Sequence, residues 1–130
     1  MAAFNKFRQF VEDIANKVHN LGADVLTIAL TATANAPVNT NTVLANLTQI
    51  SYTNLSARAC TTTSSTQTAG TYKLVIVDLV LTASGTVAAF QYVVLYNDTP
   101  TSPADPLIGW YDYGSALTLN NGETFTIDFD

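Results

Sequence analysis

The sequence predicts a mainly β fold, an antiparallel β-sandwich or jelly roll with one N-terminal amphipathic helix. Three observations predict it. Apolar residues recur at helical spacing only near the N-terminus. The rest of the chain breaks into about seven or eight short runs rich in β-branched and aromatic residues. Turn residues separate those runs at fairly regular intervals. With 130 residues, the chain fits a single domain (1–130), with the helix at 4–21 and the β-sandwich at 24–130.

The helix comes first. Phe4, Phe7, Val11, Ile14, Val18 and Leu21 are spaced 3, 4, 3, 4, 3, the stripe of an amphipathic helix. Asn5 is placed to cap its start and Gly22 to end it. Asp13 and Lys17 form an i,i+4 pair, and Lys17 and His19 suit the negative end of the helix dipole. A charge at Ile14 should therefore destroy folding or assembly. The stripe can cover either the chain's own sandwich or a neighbour's.

Strands follow. Val25 to Thr31 alternates, and a polar loop with Pro37 leads to Thr42–Leu47, a short helical turn or irregular segment. Gln49–Tyr52 and Ala57–Thr63 are weaker strand candidates, and the Thr-rich run Thr61–Thr68 reads as an exposed edge strand. Thr71–Thr82 is the strongest strand and is apolar on both faces, so it calls for cover on both. Phe90–Asn97 is a strand, and the loop Asp98–Pro106 is stiffened by Pro100, Pro103 and Pro106. In the strand Leu107–Tyr113, Tyr111 and Tyr113 share one face and Trp110 takes the other. Asn121-Gly122 between Ala116–Leu119 and Thr124–Phe129 is a hairpin signal. In that last strand Phe125, Ile127 and Phe129 face in, while Thr124, Thr126, Asp128 and Asp130 face out.

Composition narrows the function. Charged residues are 12% of the chain, about half the usual share, and the net charge is −5. Five cations do not make a nucleic-acid-binding face. The apolar share of 48% excludes a disordered chain. No run of about 18 apolar residues is present, so no membrane span is expected, and the charges at 6–17 do not suit a signal peptide. The first 17 residues hold Lys6, Arg8 and Lys17 for a local charge of +1, and the remainder carries −6.

Catalytic material is scarce, with one His, one Cys and two Glu. Cys60 can form no intrachain disulfide and reads as inert. His19 reads as a helix-capping residue rather than a base. No phosphate loop, zinc spacing, EF-hand or cofactor motif occurs. Asp98, Asp105, Asp112, Asp128 and Asp130 fit turn capping and solvation, with calcium binding or a glycosidase pair as sharper alternatives. Tyr96, Trp110, Tyr111 and Tyr113 fit core or interface packing, with sugar stacking as the alternative.

Three long segments, FNKFRQFVEDIANKVHNLGAD, TYKLVIVDLVLTASGTVAAFQYVVLYNDTP and DPLIGWYDYGSALTLNNGETFTIDFD, resemble a group of short virion proteins of tailed bacteriophages. The resemblance spans nearly the whole chain. It implies a small β-rich capsid decoration (cement) protein, made in the host cytoplasm and bound as a dimer or trimer to the major capsid protein on the outside of the head. It implies no enzyme activity and carries over no site residues. The candidate contact surface read from this sequence is Phe4, Lys6, Phe7, Arg8, Val11, Ile14, Val18, Trp110, Tyr111 and Tyr113. A tail or fibre module that binds a host-surface glycan or protein is the alternative.

Overall fold

A computed structural model describes residues 2–129 of the chain. Asp130, expected to face outward, lies outside them. The elements run β1 (Phe4–Lys6), α1 (Arg8–Ala15), β2 (Leu26–Thr31), β3 (Thr62–Thr68), β4 (Thr71–Ile76), β5 (Leu79–Thr82), β6 (Phe90–Asn97), β7 (Leu107–Leu117) and β8 (Thr124–Ile127). Short 3-10 turns cover Thr33–Asn35 and Leu44–Asn46. The protein is mainly β, and every strand pair is antiparallel. One sheet has the order β1-β7-β6-β2, and β3-β4 and β5-β8 form two further pairs.

The N-terminal segment departs from the expected 4–21 helix. Phe4 to Lys6 pairs with Tyr111 to Gly109 at the edge of the sheet, and the helix begins only at Arg8. Phe7 takes the N-cap place in extended conformation, not Asn5. Its ring is fully buried and holds that corner. The helix stops at Ala15, well short of Gly22. Val18 N–H reaches Asp13 C=O at 2.9 Å and Lys17 N–H reaches Ile14 C=O at 3.3 Å. This is a Schellman cap with Lys17 at the left-handed position, φ 64°. Lys17 therefore lies beyond the helix, and Gln9, not Lys17, contacts Asp13, at 3.1 Å. The apolar stripe is also split. Val11 is 56% and Ile14 45% exposed, whereas Asp13 is only 4% exposed.

The run Thr71–Thr82 is two strands rather than one. Leu74 and Ile76 face the core from β4, and Leu79 and Leu81 face it from β5. The inward phase shifts by one residue across Val77-Asp78, and the Asp78 carboxylate accepts the Phe129 N–H at 3.2 Å. The run is apolar on both parities because its two halves have opposite phase. The outer side chains Val77 and Val80 stay exposed. The strands buried on both faces are β2 and β6.

The Asn-Gly turn also differs from expectation. β8 pairs with β5, in the register Leu79 to Ile127 and Leu81 to Phe125, and not with β7. Gly122 has φ 86° and donates its N–H to Ala83 C=O at 2.8 Å, so the turn docks on the end of β5. β7 runs on to Leu117 through an irregularity where Gly114 has φ 94°. The Thr-rich run is an exposed strand, β3, in a hairpin with β4.

One face of the four-stranded sheet packs Leu26, Ile28, Leu30, Val93, Leu95 and Ile108 against Ile76, Leu81 and Ile127 from the smaller pairs. The opposite face buries Ala29, Val94, Tyr96 and Leu107 under Phe7, Leu44 and Leu47. The free edge of β2 is covered by residues 58–60, with Ile28 N–H to Arg58 C=O at 3.1 Å and Cys60 N–H to Leu26 C=O at 2.8 Å. Arg58 lies over the Tyr52 ring, 3.6 Å from its centroid, and donates to Ile28 C=O. One of the chain's five cations thus serves as a staple.

Candidate functional site

An apolar cleft of about 520 Å³ lies between the four-stranded sheet, the β3-β4 hairpin and the N-terminal segment. Phe4, Phe10, Leu21, Tyr72, Ile108, Tyr111 and Phe129 are among its walls. They come from six separate places in the chain, with Ile108 and Tyr111 both on β7. β1 delivers Phe4 because its three residues pair with β7, and alternation then sets Phe4 beside Tyr111, with ring centroids 5.1 Å apart. Phe129 continues the row, 6.5 Å from Tyr111. A smaller recess of about 170 Å³ opens past Tyr111 and is lined by Tyr113 and Phe125, whose rings are 5.5 Å apart.

Gly109 makes this arrangement possible. A Cβ there would stand 2.3 Å from the Phe4 ring and 2.6 Å from Asn5 C=O. A glycine inside a strand marks a close approach of this kind. That is the one local signal in the sequence that points to the cleft. Phe10, Leu21 and Tyr72 carry no such signal, because only the tertiary fold brings them to the site.

The residues singled out from sequence divide into groups. Phe4, Tyr111 and Tyr113 meet on the cleft side. Trp110 lies on the other face with Phe7, with ring centroids 4.6 Å apart, as strand alternation requires. Phe7 is fully buried and is a core residue. Lys6, Arg8, Val11 and Ile14 are exposed, and Val18 is half-buried beside His19. Of these, Ile14 lines a groove with Leu21 and Tyr72, which are also walls of the cleft.

The chemistry available at the cleft is apolar contact with a few hydroxyls. Burial raises the Tyr111 phenol above its ordinary pKa, aided by the nearby Asp128 charge, so it stays a proton donor at neutral pH. Elsewhere several titratable groups serve the fold. Burial pushes the Cys60 thiol up to about 11, which disfavours the reactive thiolate. The Asp112 carboxylate accepts from Gln91 Nε2 at 2.9 Å and Gly114 N–H at 2.7 Å, bracing the irregular part of β7. Burial, then the adjacent Asp98 carboxylate, raises the Asp105 pKa.

His19 is not a helix-capping residue, since α1 ends four residues earlier. Its Nδ1 lies 3.0 Å from Asn97 Nδ2 at the end of β6, and its ring meets Phe10 edge-on at 5.1 Å. Among the described residues no group of three or more His, Cys, Asp or Glu is placed to hold a metal ion, and no helix is long and apolar enough to cross a membrane. Comparison with known proteins finds no matching family model, no matching curated protein and no matching solved structure.

Proposed function

We propose that this chain is a structural component of a tailed-bacteriophage virion. In this reading it is a decoration, or cement, protein that binds the major capsid protein on the outside of the head. The observation that carries the reading is the aromatic cleft, which opens beside an exposed Phe4 and Tyr113. Apolar surface of this kind gains roughly 25 cal/mol for each Å² removed from water on binding. Binding only to the assembled lattice shifts the balance away from separated subunits by mass action. Low charge and a hydroxyl-rich surface suit many small contacts at symmetry-related sites, with the chain acting as a dimer or trimer. The finer architecture we infer is a β-sandwich of jelly-roll type, with the four-stranded sheet facing the β3-β4 and β5-β8 pairs. No reaction and no cofactor belong to this role.

Quantitative mass spectrometry of purified virions tests it. Many copies per head, lost when Tyr111→Ser alters the cleft, support cement. A few copies confined to the tail tip contradict it. The aromatic pair Tyr111 and Tyr113 favours one second reading, a tail or fibre module that stacks a host glycan. A glycan array that responds to the protein, and falls silent with Tyr111→Ala, would select that reading instead.

A further inference from the structure

A polar cluster is built into the junction between the N-terminal segment and the end of β6. Asn97 is fully buried and makes three side-chain contacts. Its Oδ1 accepts the Thr99 N–H at 3.1 Å. Its Nδ2 donates to Asp24 Oδ2 at 2.6 Å and lies 3.0 Å from His19 Nδ1. Turning the amide over would set an N–H against the Thr99 N–H and an oxygen against the Asp24 carboxylate. The amide orientation is therefore fixed twice over, and both hydrogens of Nδ2 are used. His19 Nδ1 must then accept, which places the imidazole proton on Nε2 and makes the ring neutral.

We propose that this cluster is a pH-sensitive latch, in which protonation of His19 breaks the Asn97 contacts and releases residues 19–25 from the end of β6. A proton added to Nδ1 points directly at the Asn97 amide hydrogens. The conflict is relieved only by turning the amide, which sacrifices the Thr99 and Asp24 contacts, or by moving His19 away. Asp24 Oδ2 also accepts the Asn20 N–H at 2.8 Å, and Val25 N–H donates to Thr99 Oγ1 at 2.8 Å, so the disturbance reaches the whole 19–25 segment.

The groups around the ring come from several elements. Asp13 reaches toward it from α1 and is buried, with Oδ2 lacking a hydrogen-bond partner among the described residues, as is His19 Nε2. Asp24 lies on the following loop, Lys17 and Thr99 line one flank, and Tyr72 of β4 lines the other. Burial lowers the His19 pKa from its ordinary 6.5, and this outweighs the Asp13 and Asp24 charges, which favour the protonated form. The sign follows from linkage. The unfolded chain binds the proton more readily than the folded one. The stabilisation is therefore full above about 6.5 and is lost as pH falls from there through the lower folded value. Histidine is the side chain whose ordinary pKa places such a change between pH 5 and 8. The latch does not depend on the virion role and stands or fails separately from it.

His19 is the only histidine in the chain, so its imidazole signals in a 15N-detected NMR titration of the intact protein are unambiguous. The latch predicts the Nε2–H tautomer at pH 7.5, a midpoint below 6.5, and amide shifts of Asn20 and Thr99 that follow the same midpoint. His19→Phe, which keeps a ring against Phe10, should flatten the fall in melting temperature between pH 7.5 and 5. An Nδ1–H tautomer, a midpoint at or above 6.5, or Asn20 and Thr99 amides that ignore the imidazole titration would each overturn the proposal. The NMR arm uses the wild-type protein and holds even if the variant fails to fold.

Discussion

Phe7 and Ile14 belong to one helical stripe in the sequence and meet opposite fates in the fold. Phe7 is fully buried against Trp110 and the sheet face that carries Val94 and Leu107. Phe7→Ala should cost about 3–5 kcal/mol in a urea unfolding experiment, because it removes a fully buried ring and opens a cavity. Ile14 is 45% exposed at the helix surface. Ile14→Asp should cost only about 1 kcal/mol of unfolding free energy, because a half-exposed side chain is lost and the new charge opposes the C-terminal end of α1. Periodicity led to the expectation that a charge there destroys folding or assembly; with Ile14 this exposed, any large loss should fall on assembly and not on folding. A third residue is informative about the site. Gly109→Ala places a methyl group against the Phe4 ring and the β1 backbone. It should displace β1 and open the cleft, seen as loss of the Phe4 to Tyr111 contact by NMR.

The elements show why helical periodicity overreached. A 3-4 spacing can be satisfied by residues that never share a helix. Phe4 belongs to β1, Phe7 to the corner and Val18 to the segment after the cap, and only Val11 and Ile14 of the stripe lie inside α1. The strand that claims Phe4 is specified by its pairing with β7, some hundred residues away, and no local signal announces it. The end of α1 was equally hidden, because a lysine occupies a position that normally favours glycine. Lys17→Gly should therefore stabilise the protein by about 1 kcal/mol, measured as a rise in the urea midpoint with an unchanged slope. Other elements were legible. β6 matches its expected limits, β3 is the edge strand that its threonines suggested, and Trp110 and Tyr111 take opposite faces as alternation demands. Pairing partners were the weak point, as with the Asn-Gly turn that joins β7 to β8 in sequence while β8 pairs with β5.

At the scale of the molecule, one edge of the main sheet is covered and the apolar surplus lies elsewhere. Residues 58–60 cover β2 at that edge, while β1 covers β7 only at residues 109–111 and the polar β3 stays exposed. Exposed apolar side chains include Phe4, Tyr72 and Tyr113 by the cleft, Val11 and Ile14 on α1, and Val77 and Val80 on the outer side of the β4–β5 run. A chain with 12% charged residues and this distribution of apolar surface suits an assembly part. The cleft draws on residues from both ends and the middle of the chain, which is why the sequence indicated aromatic residues for contacts without locating the site. Cryo-electron microscopy of the intact particle is the decisive measurement. Density for this chain should stand at symmetry-related positions over the outer surface of the head, with Phe4, Tyr111 and Tyr113 buried against a neighbouring subunit. Density restricted to the tail, or a cleft facing solvent in every copy, would contradict the cement role.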